Sequence, residues 1–219
     1  KDANAKRMKI KAYLRYEQVP FGLAARVMSF VEFALEKRVG VALDPGQLAL
    51  VPPKLIKEIC AIKNRPLLSK HPLFNLLYDG FPDVCANVCE LLSHRTHQTN
   101  EYIFKRDQIA SCMYIIGAGQ YEQKQSRTDV QTISGVCYFA ELALYANTVH
   151  FSTLLTKSRG ETFTLTGPDL AQCVKSSPLA ANMVFEYAQH LLSMCRDSYM
   201  TPTEDLPTDF LEDACMSTN

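Results

Sequence analysis

Cysteines, histidines and carboxylates are the groups that could carry chemistry in this chain. Cys85 and Cys89 are spaced i,i+4, so a helix would place both thiols on one face, as a metal pair requires. No histidine or second cysteine pair follows at zinc-finger spacing, so buried helix core is the better reading. His94 and His97 fall on a strand-like stretch, where an i,i+3 pair faces opposite sides and makes a poor metal site. His71 and His190 have no evident partner. Taken singly, Glu141 reads as a capping or solvated carboxylate, His150 as a hydrogen-bonded structural histidine and Phe151 as core. The basic run Lys6, Arg7, Lys9 and Lys11 reads as a solvated helix face. There is no Ser-His-Asp order, Gly-rich phosphate loop or pair of catalytic carboxylates, so the chain is not expected to be an enzyme.

The elements that must position these residues change character along the chain. Up to about residue 92 helical signals dominate. A basic amphipathic helix closes at Ala12–Tyr16, before Pro20. A second is expected over Phe21–Arg38, where Leu23, Val27, Phe30, Val31, Ala34 and Leu35 recur at spacings of three and four. Gly40 is placed as a stop, and Asp44-Pro45 opens a short turn. The next helix is expected over Pro53–Lys63, with Leu55, Ile56, Ile59 and Ile62 inward, and segments restart at Pro66 and Pro82. From Ser93 to Leu165, short β-branched and aromatic runs read as strands: 101–105, 113–116, 130–133, 151–155 and 162–165. Such spacing suggests an antiparallel sandwich or roll, interrupted by one helical insertion at Ala140–Tyr145. Helices return at 169–175 and from Pro178, with Val184, Tyr187, Ala188, Leu191, Leu192 and Cys195 along one face.

The chain has 219 residues, and its 23 basic side chains balance 23 acidic ones. That neutrality argues against a nucleic-acid or anionic-membrane binder. No apolar run is long enough to span a bilayer, and no secretory signal core is present. The eight cysteines are scattered, which suits reduced thiols in a cytosolic protein.

The segment Gly135-Val-Cys-Tyr-Phe-Ala-Glu-Leu-Ala-Leu144, followed by Val149-His-Phe-Ser-Thr-Leu154, resembles the phosphate-binding cassette of cyclic nucleotide-binding domains. The family pattern is Gly-x-x-Phe-Gly-Glu-x-Ala-Leu, a short gap, then Arg-x-Ala-Thr/Ser-Val. Glu101-Tyr-Ile-Phe104 and Met113-Tyr-Ile-Ile116 with Gly119 look like the strands that precede the cassette. Upstream, Tyr13-Leu-Arg-Tyr-x-x-Val-Pro20, Arg26-Val with Glu32-Phe, Leu50-Val-Pro-Pro-x-Leu-x-x-Glu58-Ile, and Leu67-Leu with Pro72-Leu-Phe74 are similar to the C-linker. That helical region joins pore to nucleotide domain in cyclic nucleotide-gated, hyperpolarisation-activated and ether-à-go-go-type channels.

The resemblance implies an α+β fold: an N-terminal helical C-linker, an antiparallel jelly-roll-like β-roll with an inserted cassette helix, and two C-terminal helices. It places the C-linker at 1–71 and the nucleotide-binding homology domain at 72–200, with its roll at 93–166 and its last helices at 168–198. An acidic, flexible tail would fill 201–219. The implied role is a cytoplasmic gating and assembly region of a tetrameric cation channel. Its partners would be three further copies, met through the C-linker, and the pore of the same chain. The fragment itself would have no membrane span and bind no nucleic acid. Two rival readings stay open: a ligand sensor with a modified pocket, and a pure subunit-assembly module.

The pocket implied by the resemblance is Ala140, Glu141, Leu142, Ala143, His150, Phe151 and Ser152. A cyclic phosphate asks for a buried Arg, a helix N-terminus and close backbone approach, while its ribose asks for a carboxylate. Glu141 fits the carboxylate position, and Gly119 and Gly135 match turn glycines. Ala140 stands in place of Gly, His150 in place of the phosphate Arg, and Phe151 in place of a small residue, while Asp107 and Ala110 replace earlier turn glycines. Losing a bidentate Arg contact in a buried site costs about 2–5 kcal/mol, roughly 30- to several-thousand-fold in affinity. Binding of cAMP or cGMP is therefore expected to be weak or lost, with no other cofactor and no metal implied. Ether-à-go-go-type channels fill this pocket with their own C-terminal segment, a role that Leu206, Phe210 or Leu211 could take here.

Overall fold

The computed structural model describes residues 2–37, 51–126 and 128–197. They form two compact units, divided at Pro52/Pro53. The first holds α1 (Asp2–Tyr16) and α2 (Phe21–Lys37). Pro20, just ahead of α2, cannot continue α1 but suits a helix start. Leu14, Val19, Ala24, Ala25 and Met28 line a cleft between the two helices. The expected stop at Gly40 and turn at Asp44-Pro45 lie outside the described residues.

The second unit opens with α3 (Pro53–Leu68), α4 (Pro72–Gly80) and α5 (Pro82–Leu91). Each has proline near its first turn, where the missing N–H has no intrahelical partner to lose. The helix expected to stop at Lys63 instead runs through Pro66 to Leu68. Only the Ile62 carbonyl loses its i+4 donor there, and Ile62 is 74% exposed, so water can satisfy it. The inward face is also rotated from the expected one. Cys60, Ala61, Asn64, Leu67 and Leu68 face the core, whereas Leu55, Ile59 and Ile62 are exposed. Asn64 is placed by donating from Nδ2 to the Cys89 carbonyl, 3.3 Å away.

Among the described residues ten strands follow: β1 (Ser93–His97), β2 (Tyr102–Phe104), β3 (Ile109–Ala110), β4 (Met113–Ala118), β5 (Gln120–Lys124), β6 (Val130–Ser134), β7 (Cys137–Phe139), β8 (Thr148–Val149), β9 (Thr153–Thr156) and β10 (Gly160–Leu165). They pair antiparallel in two four-stranded sheets, ordered β1-β10-β4-β7 and β2-β9-β5-β6, with a small β3-β8 ribbon. The expected α+β roll is thus present. β5 was not among the expected strands because its sequence, Gln-Tyr-Glu-Gln-Lys, is almost wholly polar. Pairing on both sides, with β6 and β9, holds it in place.

Strand periodicity explains why β4 is apolar on both faces. Met113 and Ile115 point into the helical core, with Leu73, Phe74, Leu77, Val84, Val88, Leu165, Leu170 and Val184. Ile116 points the other way, into the roll, with Phe104, Tyr121, Phe139 and Leu154. The chain closes with α6 (Gly167–Val174) and α7 (Pro178–Asp197). Thr166 caps α6, accepting from the Asp169 amide at 3.2 Å and donating to its carboxylate at 2.6 Å. Val184, Ala188 and Leu191 of α7 are buried and Tyr187, Leu192 and Cys195 half-buried, the face expected from their spacing. No disulfide joins the seven described cysteines.

On the roll surface Glu122 is 2.8 Å from Lys124 Nζ and 2.7 Å from Lys157 Nζ. Hydrogen bonds from these two ammonium groups hold its carboxyl below the ordinary glutamate range. The unfolded chain therefore binds this proton at higher pH than the folded one. The stabilisation is complete above about pH 4.3, the ordinary Glu value, and is lost as pH falls through the folded value. Glu122→Gln is expected to lower the melting temperature slightly between pH 6 and 8 and to converge with the unaltered chain as pH falls below the folded value, so that the acid limb of the profile is flatter. An unaltered acid limb would show that the lysines do not act on it.

Candidate functional site

The cassette runs from β7 through a 3-10 turn, Glu141–Leu144, to β8. This is the helical insertion expected at Ala140–Tyr145. Ala140 enters the turn in the left-handed region, at φ 57° and ψ 38°, while 5% exposed. Its carbonyl accepts from the Ala143 amide at 3.0 Å. The turn is therefore the one a glycine would make, kept by an alanine under strain. Asp107, at φ 65°, likewise holds a glycine-like conformation, whereas Ala110 is an ordinary strand residue. Left-handed backbone costs a non-glycine residue about 1–2 kcal/mol, partly offset here by the buried methyl and by glycine's freedom when unfolded. Ala140→Gly is expected to raise stability by about 0.5–1 kcal/mol, a melting gain of a few degrees. A fall in melting temperature would mean that the methyl's packing outweighs the strain.

His150 is only 2% exposed. Its ring lies flat on Phe104, with centroids 4.1 Å apart and planes 6° from parallel, and Tyr114 flanks it at 5.9 Å. The backbone is fixed as well: the His150 amide donates to the Gln108 carbonyl at 2.8 Å, and its carbonyl accepts from the Asp107 amide at 2.7 Å. Ser152, 1% exposed, accepts a hydrogen bond from Gln123 Nε2 at 3.2 Å. Phe151 is half-buried and lies outside the buried roll cluster, so the ring in the core is that of its neighbour His150. Both residues lie in the bend between β8 and β9, where the backbone of His150 is fixed by its bonds to Gln108 and Asp107.

Glu141 faces the helices. Its Oε2 is 3.2 Å from His71 Nε2, and its side chain is 12% exposed. His71, which showed no partner in the sequence, thus has one seventy residues away. Leu142 and Ala143 are half-buried on the turn. Burial pushes the Tyr145 hydroxyl well above the ordinary tyrosine range, and the Glu141 carboxylate adds to it. Leu206, Phe210 and Leu211 lie outside the described residues.

Elsewhere the chemistry-bearing side chains serve packing. Cys85 and Cys89 are 3% and 4% exposed in the helical core. The Cys85 thiol is lowered by its hydrogen bond with Cys89, which outweighs burial. His97 is buried, with Nε2 2.8 Å from Thr162 Oγ1 and Nδ1 3.1 Å from Glu101 Oε1. His94 faces the other side, 3.7 Å from Glu161 Oε1. Residues that sequence reasoning missed are His71, Phe104 and Gln123. Only Gln123 carried a local signal, its i,i+2 spacing from Tyr121, which places both on the inner face of β5.

No protein-family model matches the chain. It is 27% identical over 148 residues to a protein of Rhodopseudomonas palustris that carries the name of a potassium channel protein, covering 66% of this chain and 35% of that one. It is 31% identical over 71 residues to the human voltage-gated delayed rectifier potassium channel KCNH5, covering 32% of this chain and 7% of the channel. The mouse channel of that name matches equally. The chain thus spans about a third or less of the relatives it matches, and its similarity is to potassium channels. No described helix is long and apolar enough to cross a membrane.

Proposed function

We propose that this chain is the cytoplasmic gating and assembly region of a tetrameric potassium channel, and that its roll does not use cAMP or cGMP as a ligand. The C-linker is residues 1–71, the nucleotide-binding homology domain 72–200, and the tail 201–219. The observation that carries this reading is His150. A phosphate-binding residue has to meet solvent-borne anion, yet His150 is buried in a flat stack on Phe104. A single ring N–H also replaces a charged, bidentate guanidinium. Similarity to potassium channels supports the channel context.

The assembly role has its own support. Leu55, Ile59 and Ile62 recur at i, i+4 and i+7 and are 47%, 53% and 74% exposed. They make an apolar stripe along α3, of the kind that a neighbouring subunit covers.

The test is a thermal-shift titration with cAMP and cGMP at millimolar concentration. No shift is expected. A ligand at 100 times its dissociation constant would stabilise the fold by about 2.7 kcal/mol, which a melting curve shows plainly. Such a shift would overturn this reading in favour of a true nucleotide sensor.

A further inference from the structure

His71, Glu141 and Tyr145 form a buried polar cluster between the start of α4, the cassette turn and α7. The His71 ring is wedged by Phe74 at 4.9 Å and by the edge of Tyr138 at 4.7 Å. Its Nε2 comes within 3.2 Å of Glu141 Oε2 but out of line for a hydrogen bond. Nδ1 of His71, Oε1 of Glu141 and the Tyr145 hydroxyl are buried and have no hydrogen-bond partner among the described residues. Tyr145 packs towards Tyr187 of α7, with ring centroids 6.4 Å apart.

Apolar side chains would fill this space more cheaply than half-satisfied polar ones. Its position gives the cluster a use. The Tyr138 hydroxyl, from the strand that leads into the cassette, donates to the Leu67 carbonyl at the end of α3. The His71 amide donates to the Leu68 carbonyl at 3.0 Å. Strand β7 and the cassette turn therefore grip both sides of the α3–α4 joint, one by Tyr138 and the other by Glu141.

Building on the gating role above, we propose that His71 is a positioning residue that holds the Glu141 carboxylate and so couples the cassette turn to the α3–α4 joint. Any ligand or partner that claims this carboxylate has to release His71, and any movement of the joint is felt at the cassette.

Amide hydrogen exchange on the 219-residue chain tests this. In Glu141→Gln, amides of 67–80 are expected to exchange about tenfold faster while those of 113–118 stay unchanged. His71→Phe keeps the ring packing and removes the nitrogens. It should speed exchange at 140–146 by about as much, and the double variant should be no faster than either single one. His71→Gln, which keeps a donor beside the carboxylate, should restore slow exchange. An unchanged joint in Glu141→Gln would overturn the proposal, as would a uniform rise over the whole chain, additive effects in the double variant, or failure of His71→Gln to rescue. A melting shift with cAMP in the unaltered chain would overturn the functional reading alone. The exchange data would still judge the coupling.

Discussion

Replacing Phe104 by alanine is expected to be the most damaging single change in the roll, lowering stability by about 3–5 kcal/mol. Phe104 is 4% exposed and belongs to the buried roll cluster with Ile116, Tyr121, Phe139 and Leu154. It stacks on His150 at 4.1 Å and meets Tyr114 at 5.3 Å and Phe139 at 5.8 Å. Its loss removes a large apolar volume from between the sheets and leaves the imidazole of His150 without its floor. Relaxation is limited, because backbone hydrogen bonds to Gln108 and Asp107 hold His150 on both sides. Urea titration should show a lower midpoint with an unchanged slope. Phe104→Leu, which keeps most of the volume, should cost less than half as much. Equal losses for the two variants would show that aromatic stacking, and not volume, is what the site needs.

Gly119→Ala is expected to cost about 2–5 kcal/mol, for two independent reasons. Gly119 sits at φ +110°, a conformation that side-chain-bearing residues rarely adopt. A Cβ there would also lie 2.6 Å from Gly160 Cα and 2.8 Å from the Arg159 carbonyl oxygen. Both obstacles are backbone, so no side chain can swing away. The neighbouring strands are tied down by Tyr121, whose hydroxyl donates to the carbonyls of Ala118 at 2.9 Å and Glu161 at 3.1 Å. A melting drop on the order of 10 °C is the expected reading. Gly135→Ala is the control, since Gly135 also has positive φ, 85°, but nothing within 4 Å of the added carbon. It should cost only about 1 kcal/mol. If the two changes cost the same, backbone conformation alone sets the effect and the close approach to Gly160 is unimportant.

Local signals carried much of the architecture. Helix starts at Pro53, Pro82 and Pro178 were legible because proline has a fixed φ and lacks the N–H that a first turn leaves unused. The strands at 113 and 130 announced themselves by β-branched and aromatic runs. The turn at Ala140 was legible from its cassette pattern, and the backbone there kept the left-handed form that the pattern's glycine implies. Pro66 misled, because one proline at an exposed helix position costs a single carbonyl its donor and packing of Leu67 and Leu68 outweighs it.

By itself the sequence determined the alternation of helix, strand and helix, the antiparallel character of the roll, and the presence of a histidine at position 150 where the resembled pattern has arginine. These follow from residue types and short spacings, which act within a turn or a strand. Tertiary structure decided which face of α3 is buried, since the periodic apolar residues Leu55, Ile59 and Ile62 stay exposed while Asn64 goes inside to reach the Cys89 carbonyl. It also decided that His150 lies under Phe104 and that Glu141 meets His71. Such pairings join residues 46 and 70 positions apart, and no local propensity encodes a contact that exists only once two sheets and a helix have closed around it.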